Sequence, residues 1–182
     1  METTKKRGFA FFIVNINDRS TQSSTGSTFA ERPGAQNDPP NLDMTFGMQG
    51  MGFDWVNQHP DWHMDLTVDK WDHTLGASNG NQVDKSKCCL KCHIQSLDHS
   101  DCEYFLLAIS SHGKEITEPE VIFSDNKSVY LSEIIAAISD TNCPTLAGKP
   151  RIIILQVCRV TSTDAGLKLW RFTVYCLYRS TL

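Results

Sequence analysis

The chain contains no apolar run near the ~20 residues needed to cross a bilayer as a helix. It also has no surplus of positive charge: its 182 residues carry 17 Lys and Arg against 21 Asp and Glu, a formal net charge of −4. Nucleic acids and anionic membranes reward clustered Lys and Arg, so this balance gives no electrostatic reason to expect either as a partner. The one basic cluster, Lys5-Lys6-Arg7, reads as a solvated N-terminal tail over residues 1–7. A secretory leader would need an apolar core of about 7–15 residues and a small-residue cleavage site. Here the run from Gly8 to Val14 passes directly into Asn15-Ile16-Asn17-Asp18. A regular disulfide framework is missing too, because the seven cysteines are odd in number and irregularly spaced. Both features fit a reducing, cytoplasmic setting.

An apolar content of 40% over 182 residues supports one domain with a real core and falls short of two ordinary ones. Gly8–Val14 is a near-continuous apolar run, as expected of a strand buried on both faces of a parallel sheet. Arg19 to Pro40 is rich in Ser, Thr, Gly, Asn and Pro and reads as a loop. A helix is expected from Asn41, with Pro39-Pro40 at or before its first turn. Gly52–Val56 reads as a short strand, Leu66–Leu75 as a helix, and residues 76–95 as an insertion or long loop without clear periodicity. Tyr104–Ser110 and Arg151–Val157 are further strands, with two short strands around Asp125-Asn126-Lys127 and a helix from Ser132 between them. Strands alternating with helical segments imply parallel crossover units, hence an α/β class.

Two polar signatures follow two of the apolar runs. Ser111-His112-Gly113 follows the first, and Gln156-Val157-Cys158-Arg159 follows the second, with Cys158 46 positions after His112. A thiol of ordinary pKa, about 8.5, is mostly protonated near neutrality and needs a base to become a nucleophile. A histidine at a neighbouring strand end supplies one, and reactive groups collect at the carboxyl ends of parallel strands. Taken singly, each residue has a plainer reading. Cys158 would be a small buried hydrophobe, His112 a strand-end imidazole bonded to backbone, and Arg32 a solvated loop cation.

Read in order, several segments resemble the large catalytic subunit of a caspase. They are Gly8–Asn15, Arg32-x-Gly34-Ala35-x-x-Asp38, Met51-Gly52-Phe53-Asp54, Asp101–Gly113, and Leu146-x-Gly148-Lys149-Pro150 through Arg159. The resemblance covers most of residues 8–166 and implies a three-layer fold, a mainly parallel central sheet flanked by helices. It implies His112 as general base, Cys158 as nucleophile, and the N–H groups of Gly113 and Cys158 as the oxyanion hole. It further implies Arg32 and Gln156 as the pocket for a substrate aspartate, because a guanidinium fork binds a carboxylate with direction as well as charge. The implied function is a cysteine endopeptidase cleaving proteins after aspartate in apoptosis, with no cofactor.

The chain departs from the family pattern at three places. The expected Gln-Ala-Cys-(Arg/Gln/Gly)-Gly has Val157 and Val160 in place of its alanine and final glycine. Only 24 residues follow Cys158, where the family continues into a small subunit with two more strands and a second arginine. The sheet is therefore expected to be incomplete at that edge, with a compatible small subunit or a full-length relative as partner in trans. The tail, residues 167–182, is strand-like and either covers the edge or leaves it open to association. Arg171 reads as an exposed cation rather than the missing arginine, and Asp164 as part of the loop after the cysteine rather than a processing site. An alternative function is a catalytically inactive module that modulates full-length relatives. Finally, Cys88-Cys89-Leu90-Lys91-Cys92-His93 contains C-x-x-C-H, a haem-attachment pattern, and enough Cys and His for zinc. Crowding of those ligands favours an inserted loop without a cofactor over a metal or redox protein.

Overall fold

A computed structural model describes residues 7–16, 32, 34–55, 65–73, 89–115, 118–160 and 170–177, with backbone alone at 114–115, 158–160 and 170–172. The strands are β1 (Gly8–Val14), β2 (Phe53–Trp55), β3 (Tyr104–Glu115), β4 (Pro119–Ile122), β5 (Ser128–Tyr130), β6 (Arg151–Val160) and β7 (Trp170–Leu177). The helices are α1 (Asp38–Phe46), α2 (Val68–Trp71), α3 (Leu90–Ser96) and α4 (Leu131–Ala137).

These strands form one sheet of seven among the described residues. β1 pairs in parallel with β2 and with β3, and β3 pairs in parallel with β6 from Phe105↔Arg151 to Lys114↔Val160. The side of β3 that β1 leaves after Val14↔Ser110 is taken over by β4, antiparallel from His112↔Ile122 onward. β5 extends β4 as a hairpin through the turn at Asn126, whose φ is 60°. The chain is thus α/β with a mostly parallel central sheet, as the resemblance implies.

Period-two alternation divides the strand side chains between two cores. Phe11, Ile13, Phe105, Leu107, Ile109, Ile153 and Leu155 pack with Trp71, Leu90, Ile94, Leu131 and Ile134 from α2, α3 and α4. Ala10, Phe12, Leu106, Ala108 and Ile154 pack on the opposite face with Phe53, Leu42 and Phe46, the last two from α1. Helices on both faces explain why β1, β3 and β6 read as unbroken apolar runs.

Several elements differ from expectation in extent. α1 begins at Asp38 and accommodates Pro39-Pro40 in its first turn, where no intrahelical N–H is missed. α2 is a single turn, ended by extended backbone at Asp72. The long loop expected over 76–95 is helical in its last part: Leu90 and Ile94, four apart, bury one face of α3. The earlier part of that loop lies outside the described residues. α4 begins at Leu131, one residue before the expected start at Ser132, and is capped by Glu133, whose carboxylate accepts the Tyr130 N–H at 3.1 Å.

The strand-like tail does cover the edge of β6. β7 runs antiparallel along it from Arg151↔Leu177 to Cys158↔Trp170, eight paired positions in all. The β6 ladder is therefore closed on both sides, and the edge expected to be open is occupied by residues of the same chain.

Cys143, at the entrance to β6, is buried and points its thiol at the Ala137 carbonyl. Burial pushes this thiol up to about 11, so almost none of it is thiolate near neutrality. Alkylation of the native protein by iodoacetamide near pH 8, followed by peptide mass spectrometry, should modify exposed Cys176 at least about tenfold faster than Cys143. Comparable rates would show that the Cys143 site opens readily.

Candidate functional site

The strands carrying the predicted dyad outlast their apolar runs. Ser111-His112-Gly113 lies inside β3 rather than beyond its end, and Cys158 lies inside β6 rather than after Val157. The cause is the handover from β1 to β4: each gives the backbone of β3 a partner in turn, so the ladder has no reason to stop at residue 110. In this ladder His112 and Cys158 are direct register partners on adjacent parallel strands. Neighbouring strands lie about 4.8 Å apart, which brings the two residues together as the spacing alone could only suggest. His112 is half-buried.

Arg32 enters the same corner from the loop before α1. It is 3% exposed, donates Nη1–H to the Asn15 carbonyl at 2.7 Å and Nη2–H to the Ser110 hydroxyl at 2.7 Å, and has Asp38 Oδ2 at 3.8 Å. The Ser110 hydroxyl in turn donates to Asp38 at 2.6 Å. Arg32 is therefore no solvated loop cation. It ties the end of β1 and the middle of β3 to the first turn of α1, and Ser110 is the register partner of Gln156. Arg32, Ser110 and Gln156 thus form a polar row two residues before the His112 and Cys158 pair.

Asn15, Ser111 and Asp65 brace this row from below. The Asn15 amide donates to the Ser111 hydroxyl at 2.8 Å, and its carbonyl oxygen accepts the Leu66 N–H at 2.7 Å. Asp65, held at φ 50°, accepts the Ile16 N–H at 2.8 Å. Sequence reasoning missed these supports. The available signal was that Asn15, Ser110 and Ser111 are the first polar residues to interrupt two fully apolar strands.

Gly113 is placed between Val121 of β4 and Arg159 of β6. A Cβ there would sit 2.8 Å from the Glu120 carbonyl oxygen and 2.8 Å from Val157 Cβ. Glycine is required by this close approach, with a valine at 157 adding to the crowding. Val160 continues the backbone of β6, paired with Lys114, in the extended conformation that β-branched residues favour. Arg171 stands in β7 opposite Val157, while Asp164 falls outside the described residues.

The C-x-x-C-H segment also resolves differently. Cys89 is the N-cap of α3, and the imidazole beside its thiol is that of His73, at 3.4 Å. The adjacent His93 instead packs its ring edge-on against Phe11, with centroids 6.3 Å apart.

Comparison with known proteins agrees with the fold. A family model described as the Caspase domain matches residues 7–174. Caspase b of Danio rerio is 26% identical over 157 residues, which are 86% of this chain and 32% of that protein. Caspase-3 of Mus musculus is 28% identical over 155 residues, covering 85% of this chain and 46% of that protein. Caspase-2 of Gallus gallus is 36% identical over a shorter stretch of 70 residues, 38% of this chain and 16% of that protein. The chain spans less than half the length of each of these relatives.

Proposed function

Because the chain belongs to the caspase-domain family, we propose that it is a cysteine endopeptidase domain in which His112 and Cys158 form the catalytic dyad. The observation that carries this reading is their register: His112 and Cys158 are paired positions on two adjacent parallel strands, beside a row containing a buried arginine. His112 takes the thiol proton, and the thiolate attacks the peptide carbonyl. The oxyanion that develops is held by the N–H groups of Gly113 and Cys158, a role worth about 10²–10³ in rate per donor in proteases. Arg32, its guanidinium anchored on Asn15 and Ser110, and Gln156 receive an aspartate side chain before the cleaved bond, the guanidinium supplying the opposite charge. The odd number of cysteines supports a reducing, cytoplasmic site of action, and the family supports proteolysis in programmed cell death.

The test is cleavage of a reporter peptide with aspartate before the scissile bond, by the purified chain alone and with the small subunit of a caspase. Cys158→Ala is expected to abolish turnover, and His112→Ala to reduce it about 10²–10⁴-fold. Cleavage that survives Cys158→Ala would sink the assignment.

A second reading rests on β7, which occupies the β6 edge. Under it the chain regulates full-length relatives without turning over substrate. Mixed with such a relative, it would then change the relative's rate while showing none of its own.

A further inference from the structure

His73, Cys89 and Cys92 come from two segments 16 or more positions apart, yet their donor atoms all lie within 4.8 Å of one another. His73 follows α2, Cys89 caps α3, and Cys92 stands in the first turn of α3. His73 Nδ1 is 3.4 Å from Cys89 Sγ and 3.6 Å from Cys92 Sγ. Zinc bonds of about 2.3 Å to sulfur and 2.0–2.1 Å to nitrogen, opened to the tetrahedral angle, separate the two ligand atoms by about 3.5 Å. Both measured separations match. A single ring nitrogen has one proton or one lone pair, so it cannot make a well-directed hydrogen bond to two thiols at once. A cation between the three atoms would engage all of them.

Besides the Cys92 N–H that Cys89 Sγ accepts at 3.4 Å, the cluster is held in place by interactions that do not involve its donor atoms. Lys91, between the two cysteines, pairs with Asp72, the neighbour of His73, at 2.5 Å. Trp71 and Leu90 anchor the same two segments in one core. Burial is graded: Cys89 is buried, Cys92 half-buried and His73 exposed. Three fixed ligands with one side toward solvent are the pattern of a zinc site that keeps its fourth position for water.

We propose that His73, Cys89 and Cys92 bind one Zn²⁺ ion through one nitrogen and two thiolates, clasping α2 to α3 at a place separate from the His112 and Cys158 pair. Neutral imidazole with thiolate is a borderline-soft donor set that selects zinc over magnesium or calcium. Binding releases the thiol protons to solvent, so affinity rises with pH through the cysteine titration range.

The experiment uses the full chain carrying Cys158→Ala, so that the dyad thiol cannot compete for metal. Titration with Zn²⁺ should saturate at one equivalent, and Co²⁺ substitution should give a thiolate-to-cobalt charge-transfer band with tetrahedral visible absorption. Cys89→Ser and Cys92→Ser should remove the band. His73→Ala, a change at an exposed position, should weaken zinc by more than about 100-fold, beyond the ~10–100-fold typical of losing an outer partner. Cys176→Ser should leave binding unchanged. Absence of the charge-transfer band in the parent chain overturns the proposal without reference to any variant. So does zinc affinity that is undiminished in His73→Ala, which would place the metal on other cysteines and histidines.

Discussion

Arg32→Met is expected to lower the free energy of unfolding by about 3 kcal/mol, read from urea denaturation. The loss has two sources. The Asn15 carbonyl, which accepts from Arg32 at 2.7 Å, is left without its charged donor in a buried corner, and the Ser110 hydroxyl loses its second partner. Asp38 is 23% exposed, so its separation from the guanidinium is partly screened and contributes the smaller share. Arg32→Lys keeps the charge but lacks the planar fork that reaches the two acceptors from separate nitrogens, and should cost about 1–1.5 kcal/mol. If both variants unfold within about 0.5 kcal/mol of the parent, the clamp between β1, β3 and α1 is not what holds this corner. Loss of aspartyl-peptide cleavage in Arg32→Lys beyond its small loss of stability would assign Arg32 to the substrate carboxylate as well.

Gly113→Ala is expected to cost about 1–3 kcal/mol, toward the upper end because one of the two clashes is with a backbone oxygen. The Glu120 carbonyl cannot rotate away as a side chain would, so β4 must shift from β3. The other clash is with Val157, a buried residue at 3% exposure. Combining Gly113→Ala with Val157→Ala should recover at least about 0.5 kcal/mol relative to the sum of the single changes. Strict additivity in that cycle would put the whole clash on Glu120. Because His112 is adjacent, the single variant should also lose cleavage out of proportion to the fraction unfolded.

The central strands were legible because burial on both faces leaves no polar alternation to obscure them, and Gly8–Val14, Tyr104–Ile109 and Arg151–Leu155 are such runs. Their ends were not. Ser111 to Glu115 looks like the start of a loop, and it is the pairing with β4 on one side and β6 on the other, both from later in the chain, that keeps it extended. The proposed dyad was picked out by residue types and spacing, whereas the register that pairs His112 with Cys158 depends on how the two strands slide together. The type of Arg32 was readable, but its partners are 17 and 78 positions away. α3 was hidden by the cysteine-rich stretch around its start, Cys88, Cys89 and Cys92, although the spacing of Leu90 and Ile94 carried a helical signal. The partner that His73 makes for Cys89 had no local signal at all.

β7 gives the sheet a property that goes beyond finishing its edge. Any strand from another chain that pairs along β6 must displace eight residues already paired there, so association through this edge is a competition rather than an addition. Its apparent dissociation constant equals the intrinsic one divided by the fraction of chains in which β7 has let go. A hairpin strand favoured by ~3 kcal/mol would raise that constant roughly 150-fold, since each ~1.4 kcal/mol is a factor of ten. Residues 170–177 thereby act as a threshold on concentration: assembly through β6 waits until the incoming chain outnumbers, or binds better than, the strand the protein already supplies.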